Sequence, residues 1–129
     1  MKKILLDTNA YARLVAGEEQ ILDIICAADK VYMSIFVLGE LYSGFRGGNR
    51  MRENNEILLR FLHKASVETI GGTSETAEIF GELKDSLRKA GTPVPINDIW
   101  IAAHAIESGA VIVSYDKHFS KIPQVRLAF

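Results

Sequence analysis

Four acidic residues of this 129-residue sequence stand where a predicted strand ends or a predicted helix begins. Asp7 follows the apolar run "KILL", and Asp116 comes two residues after "VIVS". Asp98 opens the helical stretch after "GTPVPI", and Glu40 lies one to two turns into the helix after "VYMS". Because chemistry in open α/β sheets gathers beyond the carboxyl ends of the strands, we expect these four carboxylates to meet at one edge of a sheet.

Each acid also has a purely structural interpretation. Asp7 can act as a helix N-cap, Asp98 as a favourable first-turn charge on a helix dipole, and Asp116 as a turn residue. Glu40 differs, because a helical spacing of about 100° per residue gives it apolar neighbours and a buried carboxylate is unfavourable by several kcal/mol unless compensated. The residues predicted to share its face are Phe36, Val37, Leu41 and Gly44.

A divalent cation would explain the four acids together. Converging carboxylates without a counter-ion repel one another and raise one another's pKa. Mg²⁺ or Mn²⁺ takes oxygen ligands and offsets that repulsion, whereas zinc prefers histidine or cysteine. No histidine lies at zinc-ligand spacing from another, and the histidines are interpreted as surface or hydrogen-bonded helix residues: His63, His104 and His118. The pattern therefore predicts a magnesium or manganese site in which the metal compensates the burial of Glu40.

The elements that must position these acids alternate between strands and helices. Strands are predicted at "KILLD", "KVYMS", "SVETI" and "AVIVSYD", with "QVRLA" as a last edge strand. Helices are predicted at "AYARLVAG", "EEQILDIICAAD", the segment around Glu40, "NEILLRFLHKA", residues 74–90 and "NDIWIAAHAIESG", where Asn97 is the expected N-cap and Gly109 the terminator. This alternation predicts a layered α/β fold with a mostly parallel sheet.

Composition favours an ordinary globular protein, with 48% hydrophobic and 24% charged residues, and predicts one domain over residues 1–129. The formal net charge of -1 gives no global attraction for a polyanion, so any nucleic-acid contact would depend on a local basic patch. The single cysteine, Cys26, lies in "ILDIICAA" and is predicted to be a small core residue. Without a signal-peptide core or a long apolar run, we expect a cytoplasmic protein that does not enter a membrane.

The segments "LLDTNAY", "GEL", "PINDIWIAAHAI" and "VSYDKHF" together resemble the PIN-domain ribonucleases, most closely the VapC toxins of toxin–antitoxin pairs. The resemblance implies a three-layer α/β/α sandwich and a Mg²⁺- or Mn²⁺-dependent endoribonuclease. It assigns the acidic quartet to Asp7, Glu40, Asp98 and Asp116, with Asp7 and Asp98 as the principal metal ligands. The small polar residues that it implies around the quartet are Asn9, Ser34 and Ser114.

The same resemblance implies partners and a cellular role. Family members act on transfer or ribosomal RNA and thereby inhibit translation. They usually form homodimers and are silenced by a small VapB-type antitoxin, through which the complex binds its operator DNA. A stand-alone RNA-processing nuclease and a non-catalytic PIN-like binding module remain alternatives.

Two groups of basic residues are candidates for phosphate contacts, which position RNA without reading its sequence. The first is in "FRGGNRMRENNEILLR" and contains Arg46, Arg50, Arg52 and Arg60; the second contains Lys84, Arg88 and Lys89. A solvated helix surface is the alternative for each of them. Two other phosphoryl-transfer folds fit less well. A haloacid-dehalogenase-like phosphatase would need an aspartate where Asn9 stands, and a receiver domain would need a phospho-acceptor aspartate that "SVETI" lacks.

Overall fold

A four-stranded parallel sheet forms the centre of the computed structural model, which describes residues 2–129. The strands are β1 (Lys3–Leu6), β2 (Lys30–Ser34), β3 (Val67–Ile70) and β4 (Val111–Val113). They are arranged in the order β3-β2-β1-β4, and every pairing between them is parallel. In β1, Ile4 pairs with Val31 on one side and Leu6 with Val113 on the other. All four of these residues are buried, as expected for apolar strands that are covered on both faces.

Six α-helices within residues 2–129 complete the α/β/α sandwich. They are α1 (Thr8–Val15), α2 (Glu19–Ala27), α3 (Ile35–Gly47), α4 (Met51–Leu62), α5 (Ser74–Ala90) and α6 (Ile96–Ser108). The predicted fold class and the first four predicted strands are confirmed. Gly109 ends α6 in the left-handed conformation, with φ +69°, as its predicted role as terminator requires. Asn97 is not the N-cap of α6, because the helix already begins at Ile96 and Pro95 precedes it.

Two other sequence predictions are wrong. The segment "QVRLA" forms no strand, and its pairing with the sheet is an isolated parallel bridge between Ile112 and Leu127. Cys26 is exposed rather than buried, because α2 turns only Ile21 fully into the core. The apolar residues of α2 therefore form a narrower buried stripe than their number suggests.

The chain beyond β4 forms a short 3₁₀ helix, Lys117–Lys121, which the sequence analysis did not anticipate. Phe119 anchors it, being fully buried, and the Ser120 hydroxyl donates to the Lys117 carbonyl at 2.6 Å. This short helix follows the carboxyl end of β4 and contacts α6. Within residues 2–129, no helix combines the length and the apolar character that crossing a membrane requires.

Candidate metal centre

Asp7 is the most deeply buried carboxylate of the predicted quartet. It follows β1, is 4% exposed, and its amide donates to the Val113 carbonyl of the neighbouring strand at 3.0 Å. It occupies the N-cap position of α1, yet its side chain makes no capping hydrogen bond. Its Oδ2 instead accepts a hydrogen bond of 2.9 Å from the Ser114 hydroxyl. The capping interpretation therefore does not account for this acid.

Burial raises the pKa of Asp7 above its ordinary value, while the nearby Thr8 amide and the hydrogen bond from the Ser114 hydroxyl oppose the rise. The negative charge of Asp116 raises it further. A carboxylate that is buried beside another acid, with no lysine or arginine in an ion pair with it among the described residues, is the environment that a bound cation would stabilise.

Ser114 and Asn9 connect the loop after β4 to the first turn of α1. The Ser114 hydroxyl, besides donating to Asp7, accepts a hydrogen bond of 2.9 Å from the Asp116 amide. The Asn9 Oδ1 accepts from the Tyr115 amide at 3.0 Å. The Ser114–Asp7 and Tyr115–Asn9 bonds join residues more than a hundred positions apart, so short polar side chains hold Asp7 and Asp116 at one edge of the sheet.

Asp98 enters the site from the first turn of α6. Its side chain is 11% exposed, and its Oδ2 lies 3.0 Å from His118 Nδ1. Burial is the main cause that raises the pKa of Asp98, followed by the charges of Asp7 and Asp116, while His118 lowers it. The electrostatic coupling to both other acids shows that α6 delivers Asp98 to the cluster that β1 and β4 form.

Asp116 and His118 form the more open side of the cluster. The Asp116 side chain is 32% exposed, caps the 3₁₀ helix by accepting from the His118 amide at 2.9 Å, and lies 3.1 Å from His118 Nδ1. One potential ligand atom from each of Asp98, Asp116 and His118 lies within 4.8 Å of the others. His118 is thus a part-exposed, hydrogen-bonded residue of a short helix, as interpreted from the sequence, but its partners are two acids of the quartet, which the sequence did not predict. The signal that could have found it is its position two residues after a site aspartate in a turn.

Glu40 reaches the site from α3, but it is exposed rather than buried. The prediction of an apolar environment is wrong because α3 buries only Val37 and Leu41, and Glu40 lies beside this narrow stripe. The pKa of Glu40 is nevertheless raised, first by partial burial and then by the charges of Asp7 and Asp98. Glu40 thus belongs to the same electrostatic cluster, at its solvent side.

These four acids meet at the carboxyl edge of the sheet. Similarity to known proteins shows which family has this arrangement. The family model described as "PIN domain" matches residues 4–125. The chain belongs to the PIN-domain family. Ribonuclease VapC2 of Rickettsia felis is 30% identical over 107 residues, which cover 82% of this chain and 78% of that protein.

Solved structures agree with this assignment over nearly the whole PIN domain. VapBC2 from Rickettsia felis, bound to a DNA fragment from its promoter, superposes with a TM-score of 0.85 at 25% identity and covers 97% of this chain and 96% of the other. DNA-bound VapBC from Salmonella typhimurium gives a TM-score of 0.85 at 27% identity, with 98% and 97% covered. The resemblance to VapC-type PIN domains inferred from the sequence is confirmed.

The residues of this PIN domain fit a divalent cation by the chemistry of their donors. Four carboxylates offer hard oxygen ligands, and three of them, Asp7, Glu40 and Asp98, have pKa values raised by burial and by neighbouring acids. The buried Thr8 hydroxyl also borders the site. It makes no hydrogen bond of normal geometry within the described chain, although its proximity lowers the pKa of Glu40. Asp7 and Asp98 are the residues that would hold the ion most deeply.

Ser34 serves a different part of the PIN domain from the one predicted. Its hydroxyl caps α3 by accepting from the Phe36 amide at 3.1 Å, and it lies 2.8 Å from His104 Nδ1. No hydrogen bond of Ser34 to a quartet acid occurs among the described residues. Ser34 and the buried His104 link α3, which carries Glu40, to α6, which carries Asp98, so any support of the site through Ser34 is indirect.

The predicted basic residues are all exposed, but they differ in their ion pairs. Arg88 and Lys89 both pair with Asp85, at 2.7 Å and 3.0 Å, and these two side chains lower the pKa of Asp85. Lys84 and Arg88 line a groove that also contains Ile99, the neighbour of Asp98. The remaining basic candidates lie at the end of α3 or in and before α4: Arg46, Arg50, Arg52 and Arg60.

Proposed function

We propose that this chain is a Mg²⁺- or Mn²⁺-dependent endoribonuclease and the toxin of a type II toxin–antitoxin pair that inhibits translation. The observation that carries the proposal is the convergence of Asp7, Glu40, Asp98 and Asp116 from four different elements, with mutual charge repulsion in place of ion pairs to lysine or arginine. The names of the relatives, which are VapC ribonucleases, support RNA as the substrate.

The chain's own residues suggest how phosphodiester hydrolysis would be divided among them. Asp7 and Asp98, the two buried acids, would hold the cation. When bound, a divalent cation supplies charge stabilisation to the phosphoryl oxygens and lowers the pKa of water. Glu40 is exposed and has a raised pKa, so its carboxylate is suited to accept a proton from the attacking water. Asp116, whose amide is held by the Ser114 hydroxyl, would orient that water from the other side of the site.

Substrate binding would use the exposed basic side chains. Lys84 and Arg88 line a groove that also contains Ile99, the residue after Asp98, and this supports them as candidates for holding phosphates on that side of the acids. Arg46 and Arg50, at the end of α3 and just before α4, offer a second approach, with Arg52 two residues further, in the first turn of α4. A distributed basic surface of this kind grips the RNA backbone and leaves the choice of RNA to shape.

The proposed partners follow the relatives. The two solved relatives are DNA-bound VapBC complexes, one of them on a fragment of its promoter, and we extend to this chain a VapB-type antitoxin and operator binding through that antitoxin. A homodimer is also proposed. Size-exclusion chromatography with light scattering, on the toxin alone and on its complex, tests the dimer independently of activity.

Induced expression followed by mapping of new RNA 5′ ends tests the activity and the target together. Wild type should arrest growth and produce discrete cuts, whereas Asp98→Asn should abolish both, because the asparagine keeps the side-chain shape but removes a metal-binding charge. The matched control is Asp23→Asn, an exposed acid on α2 outside the cluster. It should behave as wild type.

Calorimetric titration with Mn²⁺ separates the nuclease from a non-catalytic binding module. Wild type and Asp23→Asn should bind the metal, and Asp7→Asn should not. Cleavage that survives Asp98→Asn, or a wild-type protein that binds no divalent metal, would contradict the proposal. Cleavage without growth arrest, in cells that lack an antitoxin, would favour the stand-alone RNA-processing nuclease over the toxin.

A further inference from the structure

We propose that His118 is a nitrogen ligand of the metal centre and makes the site prefer a first-row transition dication, such as Mn²⁺, over Mg²⁺. This inference rests on the proposed function, because it concerns the same cation. It begins from one observation: the Nδ1 atom of His118 lies 3.0 Å from Asp98 Oδ2 and 3.1 Å from Asp116 Oδ1.

Those two distances fit adjacent positions in one coordination sphere. Ligands at right angles around an octahedral ion with bonds of about 2.0–2.2 Å lie about 3 Å apart. Asp98, Asp116 and His118 each offer an atom within 4.8 Å of the others, so an ion placed among them needs only small side-chain shifts. The same distances also fit a histidine that merely donates a hydrogen bond to the two acids. The experiment must therefore separate a ligand from a donor.

The backbone of His118 is held close to the acids. Its amide donates to Asp116 Oδ1 at 2.9 Å, which closes the first turn of the 3₁₀ helix on the acid. The next residue, Phe119, is fully buried and anchors that helix in the core. The side chain of His118 itself remains 42% exposed, so its ring can adjust toward an ion without disturbing packing. A ligating His118 would carry its proton on Nε2 and direct the Nδ1 lone pair to the metal.

A nitrogen ligand changes which metal the site favours. Carboxylate and water suit Mg²⁺ and Mn²⁺ alike, but Mg²⁺ gives up its water reluctantly and is held by oxygen. Affinity for a nitrogen ligand rises along the first-row transition ions from Mn²⁺, so Mn²⁺ gains the least of that series from an imidazole but more than Mg²⁺ does. Asp98 and Asp116 alone would accept either ion. Adding His118 raises the affinity for Mn²⁺ selectively, so the preference is a property of this single side chain.

The test measures metal binding, not turnover. Mn²⁺ and Mg²⁺ are titrated by calorimetry into wild type, His118→Asn and His118→Ala, and electron spin echo modulation is recorded on the Mn²⁺ complexes. Asparagine keeps a hydrogen-bond donor beside the acids but removes the imidazole nitrogen, and alanine removes both. His63→Asn is the matched control, since His63 is exposed and its ring nitrogen contacts only the Leu59 carbonyl of its own helix, at 2.7 Å.

The expected result is ¹⁴N modulation from a directly bound imidazole in wild type and in His63→Asn, absent from both His118 variants. Mn²⁺ affinity should fall about tenfold or more in His118→Asn, with Mg²⁺ affinity changed by less than about threefold. Either of two findings overturns the inference: no nitrogen coupling in wild type, or Mn²⁺ affinity that is kept in His118→Asn and lost only in His118→Ala, as a hydrogen-bond donor would require. If wild type binds neither metal, the proposed function fails together with this inference. If wild type binds Mn²⁺ without nitrogen coupling, only this inference fails.

Discussion

Replacing Asp7 by asparagine should stabilise the metal-free protein at neutral pH while removing its stabilisation by Mg²⁺ or Mn²⁺. Asp7 is 4% exposed, and burial is the largest cause of its raised pKa. Asparagine has nearly the same shape and can still accept the hydrogen bond that the Ser114 hydroxyl donates to Asp7 at 2.9 Å. The substitution therefore removes a buried charge without opening a cavity.

The magnitude follows from the opposing contributions at this site. Removing an ion from water costs several kcal/mol after relaxation, and a hydrogen bond to a charged acceptor returns about 1.5–3 kcal/mol. With the Ser114 hydroxyl and the Thr8 amide both opposing the rise in pKa, we expect a residual of about 1–2 kcal/mol in favour of the variant. For a chain of this length, that corresponds to about 3–10 °C in Tm.

The pH dependence fixes the sign of the effect. Because the pKa of Asp7 is raised above the ordinary 3.8, the folded metal-free protein binds this proton more readily than the unfolded chain. The destabilisation by Asp7 is then absent below about pH 3.8, grows as pH rises, and is complete above the raised pKa. The advantage of Asp7→Asn should accordingly be larger at pH 7.5 than at pH 4.5.

Urea unfolding in the presence of a chelator, at both pH values and again with saturating metal, measures each contribution. At a metal concentration of 100 times Kd, wild type should gain about 2.7 kcal/mol and Asp7→Asn almost nothing. Asp23→Asn, on the exposed face of α2, should show neither change. If Asp7→Asn lowers the stability of the metal-free protein at pH 7.5, the carboxylate is a structural partner, and the reasoning about an uncompensated acid is refuted.

Three further substitutions test the Ser114 hydroxyl beside the acids, two arginines proposed to bind RNA, and the glycine that precedes α5. Ser114→Ala should weaken Mn²⁺ binding about tenfold in calorimetry with little change in urea unfolding, because it frees two acids from their shared hydroxyl; unchanged affinity would remove Ser114 from the site. Reversing Arg46 and Arg50 to glutamate should weaken RNA binding and lower its salt dependence in filter-binding assays, and an unaltered slope would exclude this patch. Gly72→Ala should destabilise the fold by about 1–3 kcal/mol more than Gly17→Ala. Both glycines have positive φ, but only at Gly72 would a Cβ meet a neighbour, a buried histidine nitrogen at 3.0 Å; equal losses in urea unfolding would contradict this.

Much of the fold was accessible from the sequence because its strands are buried on both faces. An uninterrupted apolar run such as that from Ile4 to Leu6 has few alternatives to a central strand of a parallel sheet. The run "QVRLA" was misleading for the opposite reason. Alternation of apolar and polar residues predicts an edge strand. How far this segment pairs with β4, however, depends on the direction in which the chain leaves the 3₁₀ helix.

The acids of the candidate site could be predicted from the sequence, but the environment of each acid could be predicted less well. Asp7, Asp98 and Asp116 follow directly from strand ends and a helix start, so the topology alone brings them together. The exposure of Glu40 did not follow, because the width of the buried stripe on α3 is set by tertiary packing rather than by helical spacing. His118 was missed because its contact with Asp98 spans 20 residues and depends on a turn that no periodicity marks.

The same long-range contacts make the site and the fold interdependent. Ser114 joins Asp7 across 107 residues, and this bond exists only when β1 and β4 are paired in register. The acids are therefore brought together by folding itself, at the cost of burial and of mutual repulsion, which both raise the pKa of Asp7 and Asp98. A cation that binds only the folded arrangement adds its binding free energy to folding and displaces the protons that the raised pKa values favour. Metal binding should consequently release protons to an extent that rises as pH falls toward those values, and that proton release should disappear together with the metal stabilisation in any variant that disperses the cluster.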